Sequence, residues 1–427
     1  MLRTGFSAAL VILLASAAAA ATYHVAPAGS DTGPGSHAKP WATLQHAVDT
    51  VQPGDTTLVE SGTYAGCRIG GSGGKGRPCT LKAAPKAKVV LDRPSAKSVR
   101  HSIIELQADD GEVSFWVIEG FEVAGSPRYG IDLLTTDSIT LQRCHVHDSK
   151  VSGILTSFSN HELIQDNETD HNGEHGIYHA NSGDDGVIRR NRIHHNAGCG
   201  IHMNADASMG GDGICSRMVV EANTVWENGL KGGSALNACG VCDSVFRNNL
   251  CYDNHASGIS LYVGEGTLGS SRNKVYNNTF VMAPNSRWAV NIPGTEDQRP
   301  APTGNVVYNN LLFSPDANRG AVFVYDPAQA KLVSDHNLVV DRFCPTGDET
   351  IISLAKWQSL GLDRHSRLAS PAEVFVNPAK GDYHLRPGSP AIGAGIPIPL
   401  PEVTDDLFGT PRPKAAPDIG AVQSRQR

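Results

Sequence analysis

Histidine is unevenly distributed along this chain of 427 residues. It gathers between positions 145 and 202, interleaved with Asp, Glu and Tyr. His147, Asp170, His194, Trp226 and Tyr252 recur at intervals of 23, 24, 32 and 26 residues, and the position after each holds Asp148, His171, His195, Glu227 or Asp253. Imidazoles and carboxylates are the groups of general acid–base chemistry. Indole and phenol rings offer an apolar face to a sugar beside groups that move protons. A second set, Glu174, His175, Tyr178 and His202, follows later in the same intervals. The bland reading of any one such histidine is a solvated surface residue; their concentration is what points to a ligand groove.

Those residues meet only if the chain stacks its intervals on one another, and the sequence says that it does. Asn167, Asn172, Gly176 and Ile177 form a phrase repeated as Asn191, Asn196, Gly200 and Ile201, and again as Asn249, Asn254, Gly258 and Ile259. From Phe121 through Cys144, Asn167 and Asn191 the spacing is 23, 23 and 24 residues, stretching later to 32, 26, 29 and 32. A period in the low twenties with variable insertions means one short coil per repeat. No long 3.6-residue stripe exists to make it a helical array. In such a solenoid equivalent positions stack at the strand spacing of about 4.8 Å. An Asn at each corner tolerates the left-handed conformation, and its amide donates to one neighbour while accepting from the other. Val146, Thr169, Ile193, Val225 and Cys251 share one offset and should face inward, as should Ile201, Met203, Ile259 and Leu261.

The fold class expected is all-β: a right-handed parallel β-helix solenoid with an N-terminal capping helix and a loop-rich C-terminal segment. Trp41 to Val51 reads as the amphipathic cap, and Ile352 to Leu360 as a second helix past the last repeat. The organisation expected is a signal peptide over 1–21, cap and first coils over 22–100, the solenoid over 101–345 and the loop-rich segment over 346–427. Arg3 followed by the apolar run Ala8 to Ala20, with small residues at Ala18, Ala20 and Ala21, has the form of an export signal and is too short to span a bilayer. The protein is therefore expected to be periplasmic or secreted, without a transmembrane segment after cleavage, and monomeric. A net charge of −7 and the lack of a basic run argue against nucleic acid as partner. Nine cysteines in an exported chain favour some disulfides. Cys67 and Cys79 flank a Gly-rich loop, and Cys199 and Cys215 bracket an insertion.

The opening Tyr23-His24-Val25-Ala26-Pro27, with Pro40-Trp41, Pro53-Gly54-Asp55 and Gly62-Thr63-Tyr64, resembles that of secreted bacterial right-handed β-helix proteins of the pectate-lyase-like superfamily. The close, Ser389-Pro390-Ala391, Pro411-Arg412-Pro413 and Asp418-Ile419-Gly420-Ala421, is similar too. The resemblance covers nearly the whole mature chain. It implies the fold and a polysaccharide as substrate or ligand, in a superfamily that holds lyases, epimerases, glycoside hydrolases and members of no known activity. The polygalacturonase-type motif order is absent: His175-Gly176 precedes Asp184-Asp185, and there is no Asn-Thr-Asp or Arg-x-Lys.

The expected activity is β-elimination on a uronate-containing polysaccharide. His171, His175 or His195 would be the base, with Asp170 and Glu227 completing the catalytic set. Arg189 or Lys231 would neutralise the substrate carboxylate. His147, His194, Trp226, Tyr252, Tyr178 and His202 would line the track. Asp148, Asp184 and Asp185 are the hard oxygen donors that would hold Ca²⁺ if a cofactor is needed. The alternatives are a glycoside hydrolase using two carboxylates, such as Asp170 with Glu227 or Glu174, and a non-catalytic polysaccharide-binding solenoid. The insertion Ala205 to Arg217 is expected to wall the groove next to His194 and His202.

Overall fold

The short alternating runs of the repeats fold as strands because one side of each must be buried while the corners satisfy their own backbone groups. The computed structural model of the protein describes residues 19–295, 297–348, 350–398 and 403–424. The leader expected over 1–21 lies almost wholly outside the described residues. Each coil contributes one strand to each of three parallel sheets. In one coil these are Leu163–Gln165, Glu168–Asp170 and Ile177–Ala180, and the next coil begins at Val187–Arg189. The first sheet has twelve strands from Thr22–Val25 to Val333–Asp335, and the second twelve from Gly62–Ala65 to Arg367–Leu368. The third has eleven, from Cys67–Ile69 to Phe343–Cys344. This is a parallel β-helix with the right-handed sense of parallel crossover connections. Coils begin at Thr22, well before residue 101. Among the described residues no helix is long and apolar enough to cross a membrane.

The lumen is a stack of like residues. Val146, Thr169, Ile193, Val225 and Cys251 pair in register and are fully buried, as the two-residue alternation requires. The Asn columns form continuous ladders at two corners. The first runs Asn167, Asn191, Asn223, Asn249, Asn278, Asn310 and Asn337, each side-chain oxygen accepting the backbone N–H of the coil before it. The second runs Asn172, Asn196, Asn228 and Asn254. Each amide also donates to a strand carbonyl, as Asn223 Nδ2 does to Ile188 O at 2.9 Å. The expectation that Asn takes the left-handed conformation is off by one residue. The positive φ belongs to the residue before each ladder Asn, including Asp166 (57°), Arg190 (53°) and Ala222 (52°) before the first ladder, and His171 (53°), His195 (53°) and Glu227 (52°) before the second. Such conformations cost roughly 1–2 kcal/mol per non-glycine residue, and the buried ladder bonds hold the corners there.

Both ends are sealed. The helix Leu44–Thr50, N-capped by Thr43, is shorter than the expected 41–51. Its Gln45 side chain donates to Arg68 O and accepts from Arg68 N, both at 2.8 Å, so a side chain pairs the open edge of the third sheet. At the other end Leu354–Ser359, N-capped by Ser353, stacks the fully buried Trp357 on Phe343. The first ladder closes there: Asn337 donates its backbone N–H to Ser366 Oγ and its amide to Asp363. The remaining chain runs back along the solenoid. Val374, Phe375, Tyr383 and Ile419 pack with Leu250, Leu311, Phe313 and Leu338 on the outside of the second sheet. All nine cysteines are free and buried, so the disulfides expected from their number are not found. The core absorbs them as small apolar residues, and burial pushes the thiols of Cys67 and Cys199 up to about 12.

Candidate active site

The outer face of the second sheet gathers the first two predicted columns. His147, Asp170, His194, Trp226 and Tyr252 are consecutive register partners. The residues that follow them occupy the adjacent corner, where backbone N–H groups run to the next coil, as from Asp148 to Asp170 O and from His195 to Trp226 O. The acids and imidazoles bond to one another. Asp170 Oδ1 lies 2.6 Å from His145 Nε2 and Oδ2 lies 2.5 Å from His171 Nδ1. His194 Nε2 is 3.0 Å from Glu168, His195 Nε2 is 2.6 Å from Glu227, and His147 Nδ1 is 2.7 Å from Asp148. Asp170 is partly desolvated, but the bonds from His145 and His171 win and hold its carboxyl far below the usual carboxylate range. That removes it as a proton donor. Its partner bond in turn raises His145.

The aromatic end of the column does not offer its faces. His194 stacks on Trp226 at 4.1 Å and Trp226 on Tyr252 at 5.8 Å. Arg192 lies over the Trp226 ring, and Tyr252 runs into Tyr383 of the C-terminal segment at 4.8 Å. Rings that stack along the solenoid axis use their faces on one another, so the expected sugar-stacking track is filled by protein.

The third sheet is different. Its outward register runs Leu155, Tyr178, His202, Asn237, Ser260 and Asn291. His175 turns from the corner onto this face, 5.2 Å from the Tyr178 ring and 4.6 Å from His202, while Tyr178 stacks on His202 at 5.0 Å. Asn237 Nδ2 lies 2.8 Å from His202 Nδ1 and donates to the Tyr262 hydroxyl at 2.7 Å. Asn204 Nδ2 donates to Glu265 at 2.6 Å and to the Tyr178 hydroxyl at 3.4 Å. Burial lowers His175 to about 4, and burial together with the charge of His175 lowers His202 to about 3, so both imidazoles are neutral near pH 7. The backbone N–H of Cys199 donates to His175 Nδ1, which places the His175 proton on Nε2. Burial raises both tyrosines, so both stay protonated.

Loops flank this strip on both sides. Ala207 N donates to Glu265 O at 3.1 Å, Thr267 Oγ1 to Asp212 O at 3.0 Å and Gly213 N to Ser182 Oγ at 2.8 Å, tying the insertion 205–218 into one rim. That rim stands beside His202 as expected; His194 lies on the other face, because the insertion leaves from the third sheet. Exposed Glu174 and Lys231 sit on the opposite rim, the corner between the second and third sheets.

The predicted catalytic set is therefore divided. His171, His195, Asp170 and Glu227 share the second-sheet face, whereas His175 belongs with Tyr178 and His202. Arg189 is on neither: it points out from the first sheet, bonded to Gln165 and 3.8 Å from Glu221. The residues expected to hold Ca²⁺ do not fit it. Asp184 accepts from Ser216 N and Arg217, and both oxygens of Asp185 accept from Arg217. Asp148 sits on a different corner, so the three offer no common set of free oxygens. Asn204, Asn237, Tyr262 and Glu265 were missed. The Gly-Ile-Tyr and Gly-Ile-His phrases that mark Tyr178 and His202 become Ala235-Leu236-Asn237 in the next coil, and the lost Gly hid the register.

Comparison with known proteins agrees with this architecture. Residues 23–291 match the family described as Pel9A-like, right-handed β-helix region. Pectate lyase Pel9A superposes with a TM-score of 0.66 at 16% identity, over 95% of this chain and 96% of that one. XylC in complex with xylose superposes at 0.55 and 12% identity over 95% and 99%, and a rhamnogalacturonan lyase at 0.52 and 20% over 68% and 81%. The uncharacterized protein YwoF of Bacillus subtilis (strain 168) is 25% identical over 138 residues, 31% of this chain and 29% of its own length. The chain belongs to the Pel9A-like right-handed β-helix family.

Proposed function

We propose that the protein is an exported polysaccharide lyase that cleaves a uronate-containing chain laid along the third sheet. The observation that carries this reading is the strip of neutral imidazole, phenol and amide side chains, half-buried between two rims, on a Pel9A-like scaffold. β-Elimination needs a base for the proton α to the carboxylate, an acid for the departing oxygen, and donors that stabilise the enolate formed between them. His202 is the base. Turning the Asn237 amide by half a turn keeps both of its contacts, fixes the His202 proton on Nδ1 and leaves Nε2 free to accept. As the C–H bond breaks and the carbon–carbon double bond forms, the glycosidic oxygen leaves with the Tyr178 proton. The Nε2–H of His175 binds the carboxylate, and Lys231 on the rim adds positive charge.

The test is a panel of uronate-rich and neutral polysaccharides, followed by ultraviolet absorbance of unsaturated uronate products and by reducing ends. Growth of both signals on one polymer supports the reading. In that assay His202→Gln should lower turnover about 10²–10⁴-fold, the range for removing a general base, while His195→Gln leaves it within a few-fold. Binding without new ends would select the non-catalytic solenoid. Reducing ends without absorbance would select hydrolysis by paired carboxylates.

A further inference from the structure

We propose that His24, His37 and Glu60 form a binding site for a zinc-class divalent cation at the N-terminal end of the solenoid, remote from both histidine-rich faces. The three come from separate pieces of chain. His24 is on the first strand, Thr22–Val25, and its backbone donates to Gly35 O and accepts from Trp41 N. His37 stands in the tight turn closed by the Ser36–Lys39 bridge. Glu60 directly follows the neighbouring strand Thr56–Val59, its N–H donated to Val25 O at 2.8 Å. Backbone hydrogen bonds thus place each Cα, and the side chains converge.

One nitrogen from each imidazole and one Glu60 oxygen all lie within 4.8 Å of one another, and His24 Nδ1 is 3.2 Å from Glu60 Oε1. A tetrahedral zinc ion with bonds of about 2.0–2.2 Å spaces its ligand atoms about 3.3 Å apart. The His24–Glu60 pair already has that spacing, and exposed His37 closes the rest by a small side-chain rotation. Two imidazoles and one carboxylate suit Zn²⁺ or Co²⁺ and not Ca²⁺ or Mg²⁺, which take oxygen ligands. Three protein ligands leave the fourth position to water. The comparable group at the other end, Asp335, His336 and His365, is already spent: Asp335 accepts the backbone N–H of His336 at 2.8 Å and of His365 at 2.7 Å, and its second oxygen lies 2.7 Å from His365 Nδ1.

A bound ion would join the first strand, its following turn and the second coil, so it would act as a clamp on the coil that lacks a neighbour on one side. Binding that selects the folded state raises the melting transition in proportion to the logarithm of free metal. The test uses chelator-treated full-length protein titrated with Zn²⁺ by calorimetry, with Co²⁺ as a visible-absorbing substitute and Ca²⁺ as control. We expect a melting transition raised by a few degrees with Zn²⁺ and not with Ca²⁺, and one equivalent of Zn²⁺ that weakens at least tenfold in His37→Ala and in Glu60→Gln. Both variants should melt like the parent in chelator, since one alters an exposed turn and the other is isosteric. Any zinc taken up by the second-sheet imidazoles persists in these variants, so the difference between the titrations isolates the clamp. Equal stoichiometry and affinity in parent and variants, or no uptake, would overturn the proposal.

Discussion

His179 lies inside the solenoid, fully buried, with Nδ1 2.8 Å from Glu162 Oε1 and Nε2 3.1 Å from the Gly183 carbonyl. Burial opposes its charge, yet Glu162 prevails and holds its pKa well above the usual imidazole value. Thr156 Oγ1, 2.7 Å from Nδ1, and the Gly183 carbonyl can still serve a neutral His179, but Glu162 without His179 is a buried carboxylate with no countercharge, so His179→Leu should lower unfolding free energy by ~3–5 kcal/mol, whereas Glu162→Met combined with His179→Leu should recover most of it; denaturant titrations of the single and double variants check this. A raised histidine contributes stability that is whole below about pH 6.5 and is lost as pH climbs through the folded value. The lowered pair on the third sheet works in the opposite sense. There the unfolded chain takes up protons that the folded rings refuse, so stability erodes as pH falls from about 6.5 toward the values near 4 and 3 of His175 and His202. Melting temperature against pH should therefore peak near neutrality; the double variant should flatten the alkaline limb and His202→Gln the acid limb. The sequence carried a cue to the buried pair, since His179 is two residues after inward Ile177, but a histidine inside an apolar column runs against composition. What a residue bonds to across coils is set by rotamers, and spacing alone does not report it. That is why the second-sheet columns were legible as columns while the bonds within them were not.

Whole strands and corners were easier to read than single side chains, because they follow from repetition. The interval that placed Asn167, Asn191 and Asn223 in one column places them in one ladder. Asn223 shows what that is worth: it accepts from Asn191 N and donates to Ile188 O and Asn249 Oδ1, with no exposure to solvent. Asn223→Ala would leave several buried groups unpaired, and unfolding should become easier by ~2–4 kcal/mol, with no change in the third-sheet chemistry. An urea titration beside the activity assay would show the separation; loss of turnover at full stability would contradict it. Both helices expected at the ends of the solenoid form, yet their bounds were drawn too wide. Thr43 and Ser353 start them by capping, and the residues before them are held by the coils instead.

Across the whole molecule, stacking removed the need for the cross-links that the cysteine count suggested. Nine thiols should react in guanidinium and few or none in the native state, and reductant should leave the melting curve unmoved; a shift with reductant would show pairing that the structure lacks. The three corners of the solenoid are unequal. Between the first and second sheets the chain turns on two residues, Asp166-Asn167 in one coil and Arg190-Asn191 in the next. The corner from the third sheet back to the first absorbs most of the irregularity, with segments as different as 181–186, 205–218 and 240–244. New peptide can therefore be grafted at 205–218 without disturbing the columns, in a place where it borders the proposed cleavage strip. Lengthening that one excursion is how such a chain could acquire new polymer preferences while its skeleton stays unedited.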